Sequence, residues 1–182
     1  MKRMILIDGN SLMFKAYYAT LGAGNNIMQN SKGIYTNAIF GFVNMLERLL
    51  KSEYDNILVA FDAGKKTFRH EFMTEYKAGR PPMPSEFRSQ IPYIKDYLDR
   101  KAIKYYELPL YEADDIIGTM AKRAEEAGYH VDIYSSDKDL LQLISQNSTV
   151  HMTRKGMSEI EDYTPEHFHE VYDLKYSQMV DL

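Results

Sequence analysis

Cysteine is absent from the sequence, and this absence excludes both disulfides and thiol chemistry. It also suits a reducing cytoplasm. No apolar run approaches the ~20 residues that a membrane-spanning helix needs. The opening Lys2-Arg3 leads directly into a predicted strand, which is unlike a signal peptide. We therefore expect no membrane partner.

An excess of positive charge is also lacking. The chain has 22 lysines and arginines against 26 aspartates and glutamates, for a net charge of −4. This balance does not by itself indicate a nucleic-acid-binding protein. The five histidines are scattered along the chain, and we expect them to be surface residues. The remaining composition, 45% hydrophobic and 26% charged, is that of an ordinary globular domain, and we treat residues 1–182 as a single domain.

Short apolar runs alternate with helical patterns along the chain. Residues 4–7 and 57–61 are predicted to be buried strands, with a weaker strand at 104–107 and a further strand at 131–134. The helical patterns between them are residues 12–18, the row Ile39, Val43, Leu46 and Leu50, the row Phe87, Ile91, Ile94 and Leu98, and the run that begins at Ile116. This alternation predicts an α/β fold with a mostly parallel central sheet and helices on both faces.

Acidic residues follow the predicted strands at four places. Because the carboxyl ends of parallel strands meet at one edge of a sheet, we expect these side chains to converge there. An aspartate that acts as a turn residue or a helix cap explains any one position, but it explains all four together poorly. With no thiol or imidazole nearby, such a set favours Mg²⁺ or Mn²⁺. The seven candidate metal ligands are Asp8, Asp62, Glu112, Asp114, Asp115, Asp137 and Asp139.

Three of these acids lie within four residues, on the first turn of the helix that continues through Ile116. One carboxylate is ordinary at that position because the helix N-terminus carries partial positive charge. Adjacent carboxylates repel, however, by up to ~4 kcal/mol for a pair 4 Å apart at an effective dielectric near 20. A solvated first turn without a function remains the alternative interpretation of this motif taken alone.

A basic segment follows the second predicted strand. Between Lys65 and Arg80 there are five lysines and arginines against two glutamates. If the segment is helical, four of its cations fall within about 80° of one face, and the aromatic residues between them could stack on bases. The glycine and prolines that follow predict a mobile flank of the cleft at about residues 65–85. A solvated helix face beside a proline-rich turn is the alternative. The four cations are Lys66, Arg69, Lys77 and Arg80, and the aromatic residues are Phe68, Phe72 and Tyr76.

Several motifs together resemble those of the 5′-nuclease family, which includes flap endonucleases and the 5′–3′ exonuclease domain of bacterial DNA polymerase I. They occur in the family's order over nearly the whole chain. They are Ile7-Asp8-Gly9-Asn10-Ser11-Leu12, Phe61-Asp62, Phe68-Arg69-His70-Glu71, Tyr76-Lys77-Ala78-Gly79-Arg80, Glu112-Ala113-Asp114-Asp115 and Ser136-Asp137-Lys138-Asp139-Leu140.

The resemblance implies a PIN-like 5′-nuclease core with a mobile basic arch. It implies hydrolysis of DNA phosphodiesters at 5′ ends and flap junctions, leaving 5′-phosphates, in replication and repair in the bacterial cytoplasm at the nucleoid. In the complete domain two Mg²⁺ or Mn²⁺ ions are implied, one held by Asp8, Asp62, Glu112, Asp114 and Asp115 and the other involving Asp137 and Asp139. The implied catalytic residues are Asp8, Asp62, Asp114 and Lys77. The implied DNA-binding residues are Lys15, Lys66, Arg69, Tyr76, Lys77 and Arg80.

The resemblance also predicts what lies beyond this sequence. In the family a Gly-Asp-x-x-Asp motif and a helix-hairpin-helix element follow at about the point where this sequence ends, so we expect a truncated domain and a C-terminal polymerase region in the native chain. The segment with the helix start Thr164-Pro165-Glu166 is expected to pack on the sheet. Without the seven clustered acids the charge is 22 basic against 19 acidic residues, so the acidic total does not exclude DNA binding.

Three alternatives remain at this stage. A truncated chain could bind DNA junctions without turnover. A related metal-dependent ribonuclease would carry the same acids, because the acidic set does not distinguish DNA from RNA. A phosphatase with an aspartate nucleophile is disfavoured, since its Asp-x-Asp pattern needs an acid where Asn10 stands.

Overall fold

The computed structural model describes residues 1–21, 27–67, 69, 82–155 and 159–181, with the backbone alone at 65, 66, 155, 180 and 181. Most of the predicted basic arch, including Phe68, Phe72 and Tyr76, therefore lies outside the described residues. No helix within the described ranges is long and apolar enough to cross a membrane.

A single six-stranded sheet organises the described chain, with the strand order β3-β2-β1-β4-β5-β6. All neighbouring strands run parallel except β5 and β6, which are antiparallel. The strands are β1 (Lys2–Asp8), β2 (Asn56–Thr67), β3 (Lys104–Leu110), β4 (Tyr129–Ser135), β5 (Ser148–Lys155) and β6 (Glu159–Tyr163). The α-helices are α1 (Gly9–Ala19), α2 (Asn37–Leu49), α3 (Ser85–Arg88), α4 (Ile91–Arg100), α5 (Ala113–Glu126) and α6 (Pro165–Tyr172), and two 3₁₀ helices span Lys138–Leu143 and Tyr176–Asp181.

Both faces of the sheet are covered, which is why its central strand is an unbroken apolar run. Ile5, Leu6 and Ile7 of β1 are each at most 2% exposed. Leu6 packs in the core formed with α5 and α6, whereas Ile5 and Ile7 pack in the core formed with α1, α2 and α4. The predicted mostly parallel sheet with helices on both faces is confirmed.

Two strand predictions differ from the structure. Strand β2 does not end at Asp62 but continues to Thr67, with an irregularity in its register against β3 between these two residues. Strands β5 and β6 were not predicted at all. In β5 the buried Val150 and Met152 alternate with polar residues, so it lacks the continuous apolar run that marks the central strands.

The side chain of Gln90 is fully buried where three elements meet. Its Oε1 accepts hydrogen bonds from the backbone N–H groups of Ala38 (2.8 Å) and Ile39 (3.2 Å), which belong to the first turn of α2. Its Nε2 donates to Asn37 Oδ1 (2.8 Å) and to the Glu86 carbonyl (3.0 Å). Gln90 thereby fixes the start of α2 to α3, the helix that follows the arch segment in sequence.

We expect Gln90→Leu to be strongly destabilising, because it leaves buried helix N–H groups without an acceptor. The expected cost is about 2–4 kcal/mol, which corresponds to a fall in melting temperature of about 5–15 °C. Thermal unfolding followed by circular dichroism measures it. Gln142→Leu is the matched control, since Gln142 is exposed and its side chain donates to the Asp139 carbonyl. Equal melting of the two variants would contradict this role for Gln90.

His151 corrects the expectation that all five histidines lie on the surface. Its side chain is 11% exposed, with Nε2 2.9 Å from Asp132 Oδ1 and Nδ1 2.7 Å from Asp162 Oδ1. Tyr134 stacks on the ring, with 4.4 Å between ring centroids. Burial alone would lower the pKa of His151, but the two carboxylates raise it overall. The two carboxylates thus favour the protonated form of this largely buried imidazole.

This arrangement predicts a stability that depends on pH. The pKa of His151 is higher in the folded state than in the unfolded state. Its contribution to folding stability is therefore fully present below the unfolded-state pKa near ~6.5 and is lost as pH rises through the folded-state pKa. We expect His151→Asn to lower the melting temperature by about 2–4 °C at pH 6 and by less at pH 8.5. His169→Asn, at an exposed position, is the control. A difference that stayed constant from pH 6 to 8.5 would show that the imidazole contributes packing and not charge.

Candidate active site

Acidic side chains converge beyond the carboxyl ends of β1, β2 and β4. They line a cleft of about 300 Å³. It lies where the chain leaves β1 for one side of the sheet and β4 for the other, which is the usual place for a site in an open α/β sheet. The residues that line the cleft are Asp8, Asn10, Ser11, Phe14, Asp62, Glu112, Ala113, Asp114, Ser136 and Asp137. Five of the seven predicted acids are therefore brought together.

Asp8 is the most deeply buried aspartate of the cleft, at 5% exposed. It caps α1, with Oδ1 accepting from the Ser11 N–H (2.9 Å) and Oδ2 accepting from the Ser135 hydroxyl (2.7 Å). Burial first, and then the charges of Asp62 and Asp137, raise the pKa of Asp8 to about 6 against the lowering effect of these hydrogen bonds. The carboxyl group is oriented by its neighbours but is not neutralised by them.

Asp62 joins β2 to two helix starts. Its Oδ1 accepts from the backbone N–H of Ala113 at 2.7 Å, at the beginning of α5. Its Oδ2 accepts from Asn10 Nδ2 at 3.0 Å, and Asn10 Oδ1 accepts in return from the Asp62 N–H at 3.0 Å. Asn10 therefore orients Asp62 through two hydrogen bonds, a role that its position two residues after Asp8 did not reveal.

Asp114 lies on the first turn of α5 and faces the other acids. Burial is the main reason that its pKa is raised to about 7, and the charges that raise it next belong to Asp8, Asp137, Asp62 and Glu112, in that order. Four carboxylates are thus close enough to Asp114 to oppose its ionisation. A cation bound among these carboxylates would relieve this mutual repulsion.

Asp115 points to a cation of the chain instead of the cleft. Arg69 donates from Nη1 to Asp115 Oδ2 (2.9 Å) and from Nη2 to Asp115 Oδ1 (2.8 Å), and its Nη1 lies 3.6 Å from Glu112 Oε2. Asp115 Oδ2 also accepts from the Glu112 N–H (2.9 Å) in a capping box at the start of α5. A predicted DNA-binding residue and a predicted metal ligand are thus paired with each other.

The remaining predicted residues fall in different places. Asp137 caps the 3₁₀ helix Lys138–Leu143, and its Oδ1 accepts from the Asp139 N–H at 3.0 Å. Asp139 is exposed and does not line the cleft. Lys15 donates to the carbonyl and to the hydroxyl of Thr153, the latter at 2.9 Å. The side chain of Lys66 and the residues Tyr76, Lys77 and Arg80 lie outside the described part of the chain.

The donor set fits a hard divalent cation, since the cleft offers carboxylate oxygens and no sulfur or imidazole. Within the described ranges, no three acidic or imidazole side chains are already arranged as a complete ligand set for one ion. Their oxygens are held by protein donors such as Ser135 and Asn10. Mg²⁺ keeps several of its own waters and needs only one or two carboxylates directly, so this looser arrangement agrees with the chemistry of that ion.

The sequence analysis missed the hydroxyls that order the cleft. Ser135 donates to Asp8, and the Ser11 hydroxyl accepts from the Ser136 N–H at 2.8 Å. The only signal was the Ser135-Ser136 pair at the end of a predicted strand, beside an acidic pair. Serine at such a position is common in turns, so the pattern does not distinguish this role.

Comparison with known proteins agrees with the fold and the motifs. DNA polymerase I of Bacillus subtilis is 48% identical over 182 residues, which are 100% of this chain and 20% of that protein. A flap endonuclease of bacteriophage T5, solved as a pseudo-enzyme-product complex with DNA and metal ions, superposes with a TM-score of 0.70 at 20% identity, over 100% of this chain and 65% of that one. Flap endonuclease-1 from Methanococcus jannaschii gives a TM-score of 0.63 at 17% identity, over 98% and 62%.

The chain thus spans about a fifth of the length of such polymerase relatives. The two solved structures, at this low identity, support the fold alone. A family model described as the 5′–3′ exonuclease, N-terminal resolvase-like domain matches residues 3–173. The resemblance seen in the motifs is confirmed, and the chain belongs to the family of N-terminal, resolvase-like domains of 5′–3′ exonucleases.

Proposed function

We propose that this chain is a divalent-metal-dependent 5′ nuclease that hydrolyses DNA phosphodiesters at 5′ ends and flap junctions and leaves 5′-phosphates. The observation that carries the proposal is the convergence of Asp8, Asp62, Asp114 and Asp137 in one cleft. Burial there, together with the charges of neighbouring carboxylates, raises the pKa of Asp8 to about 6 and that of Asp114 to about 7. Family membership and the DNA and metal ions bound by the T5 flap endonuclease support it.

Mg²⁺ or Mn²⁺ would be held by Asp8, Asp62, Glu112 and Asp114, with Asp137 and Asp139 contributing to a second ion in the complete domain. Such ions supply a water of lowered pKa and shield the charge of the phosphodiester. Asp115 would join the set only if Arg69 moved away from it. Because metal binds the ionised carboxylates, loading the cleft releases the protons that the raised pKa values retain.

The chain's own residues position the acids and the DNA. Ser135 and the Ser11 N–H orient Asp8, while Asn10 and the Ala113 N–H orient Asp62. The proposed role of Lys77 is to place a cation on the scissile phosphate as negative charge develops there. The proposed DNA contacts are made by Lys15, Lys66, Arg69, Tyr76 and Arg80.

In the native protein we propose a C-terminal polymerase region, as in the relatives of which this chain spans a fifth. The activity would then serve primer removal in replication and repair, in the bacterial cytoplasm. A 5′ nuclease joined to a polymerase removes the strand ahead of the advancing 3′ end, so both activities act on one junction.

Cleavage of a 5′-flap duplex labelled at its 5′ end tests the proposal. We expect release of short labelled products with Mn²⁺ or Mg²⁺ and none with EDTA. The same duplex with an RNA flap strand tests the ribonuclease alternative, which predicts faster cleavage of RNA. Tight flap binding without cleavage in any metal would favour the junction-binding alternative and contradict the proposed turnover.

A further inference from the structure

A second concave surface adjoins the acidic cleft. This groove has a volume of about 500 Å³, which lies in the ~300–1,000 Å³ range of small-molecule sites. It shares three wall residues with the cleft and continues from it along α1 towards β5. The groove is lined by Ser11, Phe14, Lys15, Tyr18, Ser136 and Arg154, of which Ser11, Phe14 and Ser136 are the shared ones.

The groove has the opposite charge to the cleft. Lys15 from α1 and Arg154 from β5 both line it. Burial lowers the pKa of Lys15, and the nearby charge of Arg154 lowers it further, so the two cations are close enough to repel each other. Among the described residues, the acceptors of Lys15 are the neutral carbonyl and hydroxyl oxygens of Thr153. Lys15 and Arg154 lie close together, and Lys15 faces neutral acceptors. The two cations therefore give the groove a positive local potential, which favours binding of an anion.

Arg154 is held by a carboxylate but is still accessible. Its Nε donates to Glu161 Oε2 at 2.6 Å, its Nη2 pairs with the same oxygen, and Nη2 also lies 3.5 Å from the Tyr163 hydroxyl. The side chain is 55% exposed. An exposed guanidinium held along its Nε and Nη2 edge still has the N–H groups of Nη1, which can donate to an anionic ligand such as a phosphate.

Aromatic rings complete the wall of the groove. Phe14 is 36% exposed and Tyr18 is 55% exposed, although both are large and apolar. They lie one helical turn apart on α1, with ring planes 14° from parallel and centroids 6.4 Å apart. Exposed rings beside cations are the combination that single-stranded nucleic acids bind, through stacking and phosphate contacts. A free inorganic anion would not account for the rings.

We propose that Arg154 is a nucleic-acid-binding residue, which together with Lys15 holds the phosphate of a nucleotide in this groove next to the acidic cleft. This inference rests on the proposed nuclease function and adds a contact that neither the motifs nor the comparisons assign. Glu161 keeps the guanidinium in place when the groove is empty. Arg154 acts in binding and takes no part in the chemical step.

Arg154→Ala tests the inference with a 5′-flap duplex labelled with fluorescein, by anisotropy in EDTA at several KCl concentrations. We expect binding about 5–10-fold weaker and a slope of log K against log salt smaller by about 0.7–0.9, the loss of one phosphate contact. With Mn²⁺ in single turnover, we expect a higher half-saturating enzyme concentration and a rate at saturation within about twofold of wild type. Arg154→Lys should restore part of the affinity, because it keeps the charge but not the fork.

Arg100→Ala is the matched control. Arg100 is also an exposed arginine held through Nε by a carboxylate, Asp96 at 2.8 Å, but it lies on α4 and does not line the groove. The two variants therefore lose the same charge and a similar ion pair. If wild type binds and cleaves flap DNA but Arg154→Ala matches Arg100→Ala, the inference is wrong and the proposed function stands. If wild type neither binds nor cleaves, the proposed function and the inference both fail. Should the alanine variant melt early, Arg154→Gln replaces it.

Discussion

Replacing Asp114 with asparagine is expected to slow metal-dependent cleavage severely and, at the same time, to stabilise the metal-free protein. The loss of cleavage should be about 10²–10³-fold, the size typical of removing one group that stabilises charge in an active site. The gain in stability follows from the carboxylates around it. Burial and the charges of Asp8, Asp137, Asp62 and Glu112 oppose its ionisation, and the neutral amide removes that repulsion.

The pH dependence of this gain has a definite sign. The pKa of Asp114 is raised to about 7, so its protonated form fits the folded state better than its ionised form. Its stabilising contribution is complete below the unfolded value near ~3.9 and is lost as pH rises through the folded value. Three pKa units correspond to ~4 kcal/mol, which solvent screening of a partly exposed group reduces to about 1–2 kcal/mol. Asp114→Asn should therefore melt about 2–8 °C above wild type at pH 8.5 and no higher at pH 4.

Manganese should reverse which of the two proteins, wild type or Asp114→Asn, has the higher melting temperature. In EDTA at pH 8.5 Asp114→Asn melts higher, whereas with Mn²⁺ at 100 times its dissociation constant the wild type gains ~2.7 kcal/mol and the variant gains much less. Asp173→Asn is the control, because Asp173 is exposed and its positive φ of 55° suits asparagine equally well. Equal Mn²⁺ shifts in wild type and Asp114→Asn would show that the cleft is not a metal site.

The features that the sequence predicted are local patterns, whereas the features that it missed are contacts between residues far apart in the chain. The strand at 4–7 was recognisable because burial on both faces makes it a local apolar run. The convergence of the acids followed from strand ends sharing one edge. The contact of Ser135 with Asp8 joins residues 127 positions apart, and no local pattern encodes it.

The ion pair between Arg69 and Asp115 could not be predicted from the sequence either. Arg69 and Asp115 were assigned to different tasks, DNA binding and metal binding, because each was judged by its own motif. In the structure the guanidinium forms two hydrogen bonds with this carboxylate, 46 residues away along the chain. The two assignments are therefore linked, because a metal ion at Asp115 or a phosphate at Arg69 would compete with this pair.

Lys77→Ala is expected to slow the chemical step about 10²-fold while weakening flap binding by less than about fivefold. A cation aimed at the reacting phosphate interacts most strongly as negative charge builds up in the transition state, so its loss raises the barrier more than it lowers affinity. Single-turnover cleavage at saturating enzyme with Mn²⁺ gives the rate, and anisotropy in EDTA gives the affinity. Lys77 lies outside the described residues, so this role is argued from its motif alone.

Lys65→Ala is the matched comparison, since it removes the same charge from the same basic segment. A lysine that contacts a phosphate away from the reacting bond stabilises the bound substrate and the transition state equally, and such uniform binding changes affinity but not the rate at saturation. Lys65→Ala should therefore reduce affinity and the salt slope, with a nearly unchanged rate. If Lys77→Ala behaved in the same way, the segment would only hold the DNA, and transition-state charge would be stabilised without Lys77.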